Sequence, residues 1–150
     1  VPIKVGVWPA FWLLGEDSYY GWPYCGEIDI MEGPVIANTA RAIHAGTHSP
    51  TATTAADISV APPKNPVTGL SDDFHTYAVD WSRDKLEYYV DHKFTGAVTR
   101  AMVESAGGVW QFNNKPQSII LNLAVGGWAG TPDSTWTEQS MLVDYVRVYE

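Results

Sequence analysis

The sequence has a single cysteine, Cys25, among 150 residues. That excludes an internal disulfide and a cysteine-based zinc site, and leaves Cys25 as a buried or half-exposed thiol. Long hydrophobic runs are missing. The longest stay under ten residues, whereas a membrane-crossing helix needs about 20, so no membrane association is expected. Basic residues are scarce: nine Lys and Arg against 17 Asp and Glu give a net charge of −8. A chain with so little positive charge offers no face to a phosphate backbone, which excludes nucleic acid as a partner. Repeats, charge runs and low-complexity tracts are also missing. No apolar 3.6-residue period persists over about ten residues, which argues against a helical architecture. Only Ala101–Ala106, before Gly107-Gly108, reads as one helical turn. The chain opens on Val1 and shows no signal peptide, so it reads as mature, clipped or trimmed sequence.

Aromatic residues, by contrast, are plentiful. Seven Trp and eight Tyr exceed what core packing by Leu, Ile and Val would call for. Flat rings with a polar tip suit either a Trp-rich core or a surface that binds amphipathic ligands such as sugars. At 45% hydrophobic residues, residues 1–150 can bury the core of one domain. Alternating and short apolar segments predict strands at Val7–Leu14, Gly26–Met31, Arg41–Gly46, Phe74–Trp81, Lys85–Asp91, Phe94–Val98, Ser118–Val125 and Met141–Tyr149. Ser82-Arg83-Asp84 and Asp91-His92-Lys93 read as hairpin turns. Pro62-Pro63-Lys64-Asn65-Pro66 marks a long loop, and Gly126-Gly127 opens another through Trp128. Many short strands with such turns predict an all-β fold, a sandwich or jelly roll.

The chemistry concentrates in Gly26-Glu27-Ile28-Asp29-Ile30-Met31-Glu32-Gly33. In a regular strand Glu27 and Asp29 share one face, while Ile28 and Ile30 share the other. Glu32 would then point into the apolar layer, where an unpaired carboxylate is costly. One extra residue in a β-bulge at Ile30-Met31 restores the phase and brings all three acids to one face. Glu27 and Glu32 are then about four strand steps apart, roughly 13 Å between Cα atoms. Two inward-leaning Glu side chains can narrow that to a carboxyl separation of about 5–6 Å, the range of retaining glycosidases. Three such close acids cannot all ionise freely, so one carboxyl pKa should rise. Two other readings exist for these acids: a solvated strand edge, or a calcium site without EF-hand spacing.

The segments around this strand carry a resemblance. Val7-Trp8-Pro9-Ala10-Phe11-Trp12-Leu13-Leu14-Gly15, Trp22-Pro23 and the acid strand are followed by Phe74-His75-Thr76-Tyr77 and Val79-Asp80-Trp81. Then come Ile120-Leu121-Asn122-Leu123-Ala124-Val125-Gly126-Gly127 and Met141-Leu142-Val143-Asp144-Tyr145-Val146-Arg147-Val148-Tyr149. In this order they resemble glycoside hydrolase family 16, and the acid motif with its one-residue insertion resembles the laminarinase, or endo-1,3-β-glucanase, branch. The shorter form of the motif is that of lichenases and xyloglucan transglycosylases.

The resemblance implies a jelly-roll β-sandwich of the concanavalin type and retaining endo-hydrolysis of β-1,3-glucan without a required cofactor. It implies Glu27 as nucleophile, Glu32 as acid/base and Asp29 as the group that orients and tunes Glu27. Trp8 and Trp22 would line the subsites beside the cut, Trp128 a more distal one, and His75 would sit near the acids. Trp12 is open between core and sugar contact, and Trp81, Trp110 and Trp136 read as packing. His44 and His48 could pair on a metal, although no third ligand is evident. The family's domain is longer than this chain, so its N-terminal strands would be missing here. With them present a monomer is expected. Asp144 resembles one contributor to a structural calcium site. Secretion is implied by a polymeric substrate. Two alternatives stay open: a non-catalytic β-glucan-binding protein, and a hydrolase of mixed-linkage glucan or galactan.

Overall fold

Alternating apolar residues build two antiparallel sheets. The computed structural model describes residues 1–2, 4–16, 20–33, 44–54, 56–62, 69–71, 73–113, 115–132 and 134–150. The strands are β1 (Val7–Gly15), β2 (Glu27–Glu32), β3 (His44–Pro50), β4 (Asp57–Val60), β5 (Tyr77–Ser82), β6 (Lys85–Val90), β7 (Lys93–Thr99) and β8 (Gln117–Val125). One sheet has the order β4-β3-β2-β1-β8 and the other β5-β6-β7. A helix, α1 (Arg100–Ser105), follows β7, with the Thr99 hydroxyl capping the Met102 N–H.

Between the sheets lies a core of Leu13, Ile28 and Ile30 from the larger sheet, Leu86, Tyr88 and Val98 from the smaller, and Val103, Trp110 and Phe112. The Tyr88 hydroxyl crosses between the sheets and donates to the Gly46 carbonyl at 2.8 Å. Trp110 belongs to this core and donates to the Arg83 carbonyl. Trp81, 40% exposed, donates to the Phe112 carbonyl and half-buried Trp136 to that of Val5, so of the three expected packing residues Trp110 is the one in the core. Cys25 is buried.

Most expected strands appear within a few residues of their expected ends. The Asp91-His92 turn has positive φ at both residues, 49° and 61°, as a tight two-residue hairpin demands. Two expectations need correction. β4 falls where no strand was expected, because four residues with two apolar side chains are too few to show a period. Met141–Tyr149, expected as a strand, forms no ladder. A strand needs a neighbour, and among the described residues none runs beside this segment. A cavity of about 700 Å³ separates it from β5 and is lined by Phe11, Met31, Leu121, His75 and Tyr145 among others. Of the expected strand at Arg41–Gly46, residues 41–43 lie outside the described residues, as do the side chain of His44 and the prolines at 63 and 66.

Candidate active site

β2 enters from Gly26, whose φ of +78° and 2.9 Å clearance between an added Cβ and Gln111 leave room for glycine alone. From there Glu27 pairs across β1 with Leu14, Ile28 with Leu13 and Asp29 with Trp12. The next partners are Met31 with Phe11, so Ile30 has no counterpart. Against β3 the register likewise shifts between Asp29, opposite Gly46, and Glu32, opposite His44. This is the expected bulge. Ile28 and Ile30 both reach the core, and the acids lie on the opposite face.

Each outer acid accepts an indole N–H. Trp22 Nε1 donates to Glu27 Oε2 at 2.8 Å, and Trp8 Nε1 donates to Glu32 Oε1 at 2.9 Å. Asp29 sits between, 5% exposed. Its pKa is pushed up to about 9, first by burial, then by the charges of Glu27 and Glu32, a hydrogen bond with the Glu27 carboxyl, and Asp57. Asp29 is therefore the neutral, proton-donating member of the set at pH 7. Glu32 is raised as well, chiefly by burial. The Trp8 hydrogen bond and the His48 charge pull it down, while the Glu27 charge adds to the rise. The arrangement places one hydrogen-bonded carboxylate, one neutral acid and one carboxyl of raised pKa on a single face.

The imidazole beside the acids is His48, whose backbone lies opposite Glu27. Its Nδ1–H donates to Asp57 Oδ2 at 2.8 Å, while Nε2 faces Asp29 Oδ2 at 3.7 Å. Parity could have found it: His48 on β3 lies two residues from Gly46, which pairs with Asp29. Asp57 gave no such signal, because no strand was expected at β4. His75, expected near the acids, instead donates from Nδ1 to Asp91 Oδ2 at 2.7 Å and lines the cavity between the sheets. It precedes β5 in the smaller sheet, and Asp91 in the adjacent turn holds it there.

The aromatic side chains frame the acids. Trp22 is 51% exposed, with its ring 5.9 Å from His48. Trp128, 46% exposed, packs edge-on against Trp8 with centroids 5.4 Å apart, which places it next to the ring that holds Glu32. Trp12 faces the same side as Trp8 and donates to Asn122 Oδ1 at 2.7 Å.

Glu27, Asp29 and His48 present ligand atoms within 4.8 Å of one another. Imidazole in the set and a protonated Asp29 do not suit calcium, which prefers carboxylate and carbonyl oxygens. Among the described residues Asp144 belongs to no group of three ligating side chains.

The sequence profile of "Glycosyl hydrolases family 16" matches residues 2–147. A glucan endo-1,3-beta-glucosidase A1 of Niallia circulans is 36% identical over 159 residues, covering 100% of this chain and 23% of that protein. A keratan-sulfate endo-1,4-beta-galactosidase of Sphingobacterium multivorum is also 36% identical, covering 97% of this chain and 33% of that protein. The solved endo-beta-1,3-glucanase of Pyrococcus furiosus superposes with a TM-score of 0.71 at 43% identity, covering 90% of this chain and 51% of that one. The chain thus spans between about a quarter and about a half of the length of these proteins, with both sheets lying inside the matched part. It belongs to glycosyl hydrolase family 16.

Proposed function

We propose that this chain carries the catalytic face of a retaining endo-β-1,3-glucanase. The observation that supports this most is the bulge at Ile30, which brings Glu27, Asp29 and Glu32 to one face. Glu27 attacks the anomeric carbon while Glu32 gives its proton to the leaving glycosidic oxygen. The C–O bond to the leaving sugar breaks as the Glu27 ester forms. Glu32, now a carboxylate, then takes a proton from water, whose oxygen displaces Glu27. Asp29 donates its proton as a hydrogen bond to Glu27 and so orients it. His48, held through Nδ1 by Asp57, sets its Nε2 3.7 Å from Asp29 Oδ2.

Each step is carried by carboxyl groups, so no cofactor is assigned. The rings of Trp8, Trp22 and Trp128 supply flat surfaces for a β-glucan chain. A polymer of that size places the work outside the cell. A hydrolase of mixed-linkage glucan or galactan would use the same acids. A second reading, glucan binding without turnover, draws support from the exposed rings of Trp22 and Trp128 beside the acids. Product analysis on laminarin, lichenan and agarose separates these readings. Laminarin oligosaccharides released with retained anomeric configuration are expected. Glu27→Gln should lower turnover by at least about 10³-fold, while laminarin binding survives. Unchanged hydrolysis by Glu27→Gln would remove the nucleophile assignment, and binding without products would favour the second reading.

A further inference from the structure

An acid/base must hold a proton in one step and lack it in the next. Glu32 lies under opposing influences: burial and the Glu27 charge favour its neutral form and prevail, while Trp8 and His48 favour the anion. Asp29 is the other carboxyl on this face, and His44 pairs with Glu32 across the β3 ladder. Trp8 holds Glu32 by a direct hydrogen bond, its indole N–H donating to Oε1 at 2.9 Å.

The indole is itself held. Its ring packs edge-on against Trp128 at 5.4 Å and 71°. Gly127, at φ +61°, passes so near that an added Cβ would lie 3.5 Å from Trp8 Cζ3. The 3-10 turn Gly127–Ala129 is tied to the strand entry by two backbone bonds, Gly126 N–H to the Gly6 carbonyl and Gly6 N–H to the Ala129 carbonyl. Gly6 lies two residues before Trp8, so turn, ring and carboxyl form one connected unit.

We propose that Trp8 is a positioning residue for Glu32, holding its carboxyl through the indole N–H, and that Trp128 acts on Glu32 through Trp8. This rests on the acid/base assignment above. When Glu27 becomes an ester its charge vanishes, and with it one reason for Glu32 to stay protonated. The indole donor is unchanged, so the balance tips toward the carboxylate that activates water. Trp8 thereby favours the second half of the cycle, a role separate from any stacking on sugar.

Trp8→Phe keeps an aromatic ring and deletes the donor. The alkaline limb of kcat/KM on laminarin should move up by ~0.5–1 pH unit, with KM changed less than about threefold. Trp128→Leu should move the limb the same way by a smaller amount. Carbon-13 carboxyl titration by NMR reads Glu32 directly, assigned by the signal lost in Glu32→Gln, and needs no turnover. Near-UV circular dichroism establishes that each variant is folded. An unmoved midpoint in folded Trp8→Phe, with weakened laminarin binding, would overturn the proposal and leave Trp8 as a sugar platform. Should Trp8→Phe not fold, Trp128→Leu decides by the same titration. The outcome is separable from the glucanase reading, which stands or falls on Glu27→Gln.

Discussion

Asp29 shows how far a single side chain can depart from its ordinary chemistry. It is nearly enclosed, between two other acids, and holds its proton up to about pH 9. A raised folded-state pKa means that the native state binds the proton more tightly than the unfolded chain does. The associated stability is fully present below about pH 4, the unfolded carboxyl range, and is lost as pH rises through about 9. Asn is nearly isosteric with a neutral Asp and cannot ionise. Urea unfolding of Asp29→Asn should therefore show a flatter pH dependence between pH 4 and 9 than the parent. A parent profile already flat there would place the proton elsewhere. Activity of the variant should fall by about 10–100-fold, because an amide N–H can still reach Glu27 but cannot follow its charge. The rise of one carboxyl pKa was readable from the crowding of three acids, and Asp29 as its principal bearer follows from its central, buried place.

At the scale of the element, the bulge in β2 decides whether the acids act together. The odd spacing from Glu27 to Glu32 demands an extra residue, and the ladder supplies it at Ile30. Deleting Met31 leaves Glu27, Asp29 and Glu32 at even spacing on a regular strand, with Ile30 still directed at the core. That variant should keep all three acids on one face and retain measurable hydrolysis. Inserting one Ala after Met31 also makes the spacing even, but on a regular strand it carries Glu32 to about 20 Å from Glu27 between Cα atoms instead of roughly 13 Å, and should cost about 10²–10⁴-fold in kcat, the worth of a general acid. Laminarin assays on the two folded variants check the pair, and equal activities would mean that the spacing of the two acids does not govern the site. Strand parity made the acid face and the bulge legible in advance. His48 and Asp57 were harder, because they reach the acids from β3 and β4, and pairing between strands distant in sequence leaves no local period. His75 misled for the same reason: its neighbours come from the β6–β7 turn of the other sheet.

For the whole molecule, the space beside β8 sets the behaviour of this chain in solution. Ile119, Leu121 and Val125 pair with Leu13, Phe11 and Val7 and so point to the inner side of the larger sheet. Yet they are 44%, 40% and 60% exposed. Among the described residues β8 has β1 as its one neighbour and ends the sheet order, so its other backbone edge is unpaired among them. Across the cavity, Leu142, Tyr145 and Val148 are also at least half exposed. An apolar inner face next to an open edge is a template for pairing with another chain. The 150-residue chain should therefore associate with itself, its sedimentation coefficient rising with concentration in the micromolar range, and should brighten an apolar dye such as anilinonaphthalene sulfonate. Leu121→Lys sets a charge on that face, on the side of β8 away from the acids. It should lower both the association and the dye signal, while leaving the Asp29 and Glu32 titrations unmoved. A chain that stays monomeric to millimolar concentration and leaves the dye dark would show that this face is closed in solution, with residues 141–149 drawn in over β8.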